Sequence, residues 1–227
     1  MSMQALEVTV PFARNRKSQF PAVSPVPAPG LFGPMAASLT FVRDEEVYGE
    51  GEPAEYLYTV QSGCVRTSKI LNDGRRQIGA FYLPGDVFGL EAGETHSFSA
   101  EALTATTVRV IKRTALTSRT ACDSAMAGQL LKLTVAELER TQGRVLLLIK
   151  SAQERVAGFL LEMASRHRTA NEIELPMSRQ DIADYLGLTI ETVSRTLTHL
   201  ENTCAIALPT SRHIVLRNRA ALARLNA

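Results

Sequence analysis

Three residues constrain the fold of this chain more than any others: Ala183, Gly187 and Val193, spaced four and then six positions apart. Ser178 stands at the head of an apolar periodic run, with Asp181 three residues on, a variant of the capping box that starts a helix. Ile182, Ala183, Tyr185 and Leu186 supply that helix with an inner face. Gly187 stops it, because glycine takes the left-handed conformation that ends helices. Thr189 caps a second helix that runs through about Glu201, with Val193, Leu197 and Leu200 turned inward. Small Ala183 lets the two helices cross closely, and Val193 packs beneath the second. The spacing predicts a helix-turn-helix.

The outward face of the second helix is polar from its first turn. Glu191 and Arg195 are four residues apart and share one face. A carboxylate can accept from cytosine N4, and a guanidinium can grip guanine O6 and N7. Ser194 can bond a base or a phosphate, and Ile190 can touch a thymine methyl. These four are the expected base contacts to double-stranded DNA. Thr189, Thr192, Thr196, His199 and Arg212 are expected at the DNA backbone. Ser178 and Arg179 join them, because the first helix of such a pair crosses the phosphates with its amide groups. After Glu201 the chain carries Arg212, Arg217, Arg219 and Arg224 and no acidic residue, a balance suited to a polyanion.

Four segments of different character follow one another. Residues 1–38 hold six of the ten prolines and no sustained period, which predicts a mobile N-terminal arm. Residues 39–123 are expected to form a β-roll. Short runs such as Tyr56–Val60, Cys64–Leu71, Gln77–Leu83 and Thr106–Lys112 alternate with turn signals, among them Asn72–Asp73–Gly74. Residues 124–168 lack proline, and Leu131, Leu138, Val145, Ala152 and Phe159 recur every seven positions, with Val135, Ile149 and Val156 four residues after three of them. That predicts one long helix with an apolar stripe. The stripe suits a dimer seam built from Leu131, Leu138, Gln142, Val145, Ile149, Ala152 and Val156, or packing on the chain's own β domain; its length favours the seam. Residues 169–227 are expected to form the helix-turn-helix domain, with Ala205–Leu208 and His213–Leu216 as a hairpin, or wing. The fold class is α+β: an antiparallel, jelly-roll-like β-roll, a long dimerisation helix and a winged helix-turn-helix.

Other function classes find little support. No apolar run approaches the roughly 18 residues of a membrane span, and the N-terminus lacks the pattern of a secretory signal, so a cytoplasmic protein that does not enter membranes is expected. Cys64, Cys122 and Cys204 lie far apart without a CxxC pair, so neither a metal site nor an iron–sulfur cluster is expected. The roll holds a single histidine, His96, too few for metal catalysis on such a barrel, and no catalytic residues are expected.

The order of these parts resembles the CRP/FNR family of bacterial transcription regulators over about residues 39–220. Glu191-Thr-Val-Ser194-Arg195 is similar to the family's E-x-x-S-R reading signature, and the segment from Met177 to Arg195 resembles the FixK branch in particular. The resemblance implies a homodimer that binds TTGA-type inverted repeats, recruits RNA polymerase and acts mainly as an activator of microaerobic or anaerobic respiration and nitrogen-fixation genes. Cyclic-AMP-binding members have a G-E-L segment and then an R-S or R-T pair that holds the phosphate. Here the matching stretches read Gly89-Leu90-Glu91 and Ser97-Phe98-Ser99-Ala100, without the arginine. A buried phosphate without a cation is costly, so no cyclic nucleotide and no cofactor are expected. The FNR cysteine cluster is missing from the arm. A redox-sensitive cysteine of some FixK proteins falls at Ser178, which cannot form a disulfide; Cys204 is the remaining thiol near the reading helix. The alternative reading is a regulator gated by another small molecule bound between Phe81 and Glu101.

Overall fold

The computed structural model describes residues 36–147, 149–166 and 171–226. Residues 1–35, which make up nearly all of the expected arm, lie outside the described residues.

The N-terminal part is built from β1 (Ala37–Phe41), β2 (Glu46–Tyr48), β3 (Tyr56–Ser62), β4 (Val65–Ile70), β5 (Arg76–Tyr82), β6 (Val87–Phe88), β7 (Ser99–Ala102) and β8 (Thr106–Lys112). They form two antiparallel four-stranded sheets in the orders β1-β8-β3-β6 and β2-β7-β4-β5. Inward-facing residues of both sheets meet in one core that includes Tyr48, Tyr58, Val65, Tyr82, Phe88 and Val108. The Asn72–Asp73–Gly74 turn joins β4 to β5, with Gly74 at φ +82°, a conformation that glycine adopts without strain. This is the expected roll.

Two helices follow, α1 (Arg113–Cys122) and α2 (Ser124–Leu147). Helix α1 is short and mostly polar, and it carries no apolar periodicity that marks it in the sequence. One face of α2 carries Met126, Leu130 and Leu133 onto the roll, against a cluster with Leu57, Ile111 and Leu116. A different face is bare: Leu131, Leu138 and Val145 are 64, 55 and 60 % exposed, and Gln142 lies exposed between them. Two apolar stripes therefore run along one helix, one packed within the chain and one open.

The continuous helix expected over 124–168 is interrupted. The chain leaves α2 at Leu147 and starts α3 (Ala152–Arg166) after a break. A second capping box starts α3, and the heptad pattern runs through it unbroken. Ser151 N–H donates to the Glu154 carboxylate, and Ser151 Oγ accepts from Glu154 N–H at 3.4 Å. Ile149, in the break, is 85 % exposed, and Ala152 begins α3. One expected seam position is overturned: Val156 is buried in the C-terminal core and is not free to meet a second copy. Phe159 of the heptad series is buried there as well.

The C-terminal part continues with β9 (Glu172–Glu174), α4 (Arg179–Leu186), α5 (Ile190–Asn202), β10 (Ile206–Ala207), β11 (His213–Leu216) and α6 (Arg219–Asn226). The expected wing hairpin, β10 and β11, gains a third strand, giving the order β10-β11-β9. Val156, Leu160 and Met163 of α3 share a core with Ile173, Ile182, Val193, Leu197, Leu200 and Ile214. That same core extends to Cys64, Phe81, Leu83 and Leu103 of the roll, so the two parts are packed on each other. Among the described residues no helix is long and apolar enough to cross a membrane.

Candidate nucleic-acid interface

Local hydrogen bonds fix the geometry of the helix pair. Ser178 caps α4 as part of a complete capping box: its hydroxyl accepts from Asp181 N–H at 3.1 Å, and its own N–H donates to Asp181 Oδ2 at 2.9 Å. Gly187 sits at φ 63°, ψ 40°, and Leu188 N–H closes onto Ala183 C=O at 2.9 Å. A Cβ at Gly187 would meet only the end of Arg155, at 3.6 Å, so glycine is needed there for its backbone conformation and not for space. Thr189 caps α5 and accepts from Thr192 N–H at 3.2 Å. Ala183 and Val193 are both fully buried at the crossing.

Helix α5 buries Val193, Thr196, Leu197 and Leu200 and turns its other side outward. Glu191, Arg195 and His199 are exposed, Ile190 is 37 % exposed, and Thr192 and Ser194 are half-buried at the edges. Glu191's carboxyl is held below the usual range by its own backbone N–H, by the Thr189 hydroxyl and by the Arg195 charge, so it is an anion able to accept from a base. Ser194 and Arg195 follow within one turn. The four expected base-reading side chains thus share the N-terminal half of one exposed helix face.

The expected backbone contacts divide. Ser178, Arg179 and Thr189 lie at the starts of the two helices, where free amide groups favour anions. Arg212 stands in the wing loop, whose tip is shaped by Thr210: its hydroxyl accepts from Arg212 N–H at 3.3 Å and from His213 N–H at 3.0 Å. Glu201 Oε1 accepts from Leu208 N–H at 3.1 Å and ties the wing to the end of α5. Thr196 is the exception. It lies three residues after Val193 and four before Leu200, on the inner face, and is only 6 % exposed. It is therefore not a phosphate contact. Thr198, passed over in the sequence, is exposed on the side that carries Glu191 and Arg195.

Asp181 is more than a cap: it is buried and serves both parts of the chain. Oδ2 also accepts from Ser178 Oγ at 2.7 Å, while Oδ1 accepts from Arg66 on β4 at 2.6 Å and from Arg76 on β5 at 2.8 Å. Burial raises its pKa, but the Ser178 hydrogen bonds and the charges of Arg66 and Arg76 outweigh this and hold it below the usual carboxylate range. No local signal reveals such a partnership, since the partners lie more than a hundred residues apart in sequence.

The stretch of the roll that resembles a phosphate grip is occupied by a carboxylate of the chain itself. Ser97 N–H and Oγ donate to Glu91 Oε1 and Oε2 at 3.2 and 2.9 Å. Arg113 donates to the carbonyls of Ala54, Glu91 and Gly93 and holds that loop. The interior beside it is filled by stacked rings. His96 lies on Tyr48 with ring centroids 3.5 Å apart, and Tyr58 on Phe88 at 4.9 Å. A cyclic nucleotide does not fit these residues: its phosphate would face the Glu91 carboxylate with no arginine in the matching position. Of the three thiols, Cys64 is buried, which pushes its pKa up to about 12, and Cys122 and Cys204 are exposed.

Residues 154–225 match the Crp-like helix-turn-helix domain, and residues 38–120 match the cyclic nucleotide-binding domain. The chain is 53 % identical over 192 residues to the nitrogen fixation regulation protein FixK of Azorhizobium caulinodans, a match covering 82 % of this chain and 77 % of the relative. It is 42 % identical over 200 residues to the FixK protein of Rhizobium meliloti, covering 88 and 90 %. The solved structure of FixK2 from Bradyrhizobium japonicum superposes with a TM-score of 0.81 at 52 % identity, covering 85 % of this chain and 98 % of that one. With the reading helix, wing and roll arranged as described, the chain belongs to the CRP/FNR family of DNA-binding transcription regulators and, within it, to the FixK type.

Proposed function

We propose that the chain acts as a homodimer that binds TTGA-type inverted repeats in double-stranded DNA, recruits RNA polymerase and activates genes of microaerobic or anaerobic respiration and nitrogen fixation. It works in the cytoplasm, as a regulator and not as an enzyme, and it needs no small-molecule effector.

The observation that carries this reading is the exposed face of α5, where Ile190, Glu191, Ser194 and Arg195 project from a doubly capped, well-anchored helix pair. The bare stripe of Leu131, Leu138 and Val145 on α2 supports the dimer, since a row of large apolar side chains this exposed is costly without a partner. Two copies present two reading helices, one to each half-site about one helical turn apart. Effector independence is supported by the Glu91 carboxylate on Ser97 and by the ring-filled interior of the roll. The test is footprinting with purified, ligand-free protein on a TTGA palindrome in which each base pair is changed in turn. Protection should centre on the two half-sites and fade when their G·C pairs are changed. Protection indifferent to those changes would contradict the reading.

A further inference from the structure

The first helix of the reading pair is gripped at both ends by the roll. Near its start, Asp181 receives both Arg66 Nη1 and Arg76 Nη2, at 2.6 and 2.8 Å. One turn on, Asp184 Oδ2 accepts from Arg76 Nε at 2.7 Å. Arg66 is steadied in turn by Glu101 of β7, at 2.8 Å. The Arg66 and Asp181 side chains are 12 and 5 % exposed, so this cluster is largely out of water. Near the end of α4, the Tyr185 ring lies 5.2 Å from Phe81 of β5.

Such a cluster is a poor way to gain stability, because desolvating the charges roughly cancels their attraction. It is a good way to fix an orientation. Each guanidinium is a planar fork, and two forks on one carboxylate define both the position and the rotation of the helix that carries it. Neither Arg66 nor Arg76 is among the residues expected on DNA, so any effect they have on binding must pass through α4.

We propose that Arg66 and Arg76 are positioning residues for DNA binding: the β4–β5 hairpin sets the orientation of α4, and α5 with it, so that both reading heads of a dimer meet successive major grooves without an effector. The inference rests on the effector-free reading above. Its physical demand falls on the pair of heads. Tilting one head costs little when a single half-site is bound but prevents both from engaging together.

The experiment uses full-length, ligand-free protein in three forms: the natural chain, Arg66→Gln with Arg76→Gln, and Arg66→Lys with Arg76→Lys. Affinity is measured for the full palindrome and for DNA with one half-site. The glutamine variant should bind the palindrome about tenfold more weakly while keeping its half-site affinity, and the lysine variant should recover part of the loss. A ratio of full-site to half-site affinity unchanged by the glutamines, even with a lowered melting temperature, assigns the cluster a purely structural role and overturns the proposal. If the double variant does not fold, Arg76→Gln alone is read by the same ratio. A natural chain that binds only with added ligand defeats the effector-free reading; the ratio, measured with that ligand, still decides the positioning role.

Discussion

Helices α2 and α5 are both amphipathic, and they use their apolar stripes in opposite ways. In α5 the stripe of Val193, Leu197 and Leu200 is satisfied inside the chain, against α3, α4 and the wing sheet. Its polar face is free, and free in a fixed direction. In α2 one stripe is satisfied by the roll while a second, through Leu131, Leu138 and Val145, meets no partner among the described residues. Periodicity alone does not separate the two cases, since it reports that a face is apolar and not what covers it. The difference supports the two tasks proposed for the helices. What α5 leaves open is hydrogen-bonding capacity, which suits base edges; what α2 leaves open is apolar surface, which suits a second copy.

The largest effect is expected at α2. Replacing Leu131 and Leu138 with Glu should convert the dimer to a monomer in sedimentation and weaken operator binding by about a hundredfold or more, because the second half-site is no longer tethered to the first. A variant that remains dimeric would move the interface elsewhere. On α5, Arg195→Ala should cost about 1–3 kcal/mol on the cognate operator and far less on random DNA, measured by competition in fluorescence anisotropy. Equal losses on both would reduce Arg195 to a phosphate contact. Ser178→Ala removes the hydroxyl half of the α4 capping box, and about 1 kcal/mol of stability should go with it, seen as a melting temperature lower by a few degrees. The smallest effect is expected of Thr196→Val. Its side chain faces the core and not the reading face, so, whatever the lost hydroxyl does to stability, operator affinity should change by less than about twofold. A larger loss would return Thr196 to the DNA-facing set.

What the sequence made legible was local. Both caps of the helix pair, the glycine turn, the β4–β5 hairpin and most strands follow from residues within a few positions of each other. The same short-range rule applies at Ser151 and Glu154, where a capping box falls inside a seven-residue repeat that continues on both sides of it. The repeat persisted across the break because both helices need apolar positions, though for different partners: α2 on the roll and outward, α3 in the C-terminal core. Features that depend on distant residues stayed hidden. Asp181 reads as a cap from its neighbours, and only the fold brings Arg66 and Arg76 to it. Thr196 looked available because the inner face of α5 is wider than its three aliphatic residues suggest. The β9 strand, three residues long, carried too little pattern to stand out.

If the reading head is held ready without a ligand, the protein freed of small molecules should bind a labelled TTGA palindrome on its own, which fluorescence anisotropy with cyclic AMP either absent or saturating tests directly. Binding is expected in the range of about 10⁻⁸ M or tighter at physiological salt, with one titration curve for both conditions. Binding that appears only when the nucleotide is added would contradict it.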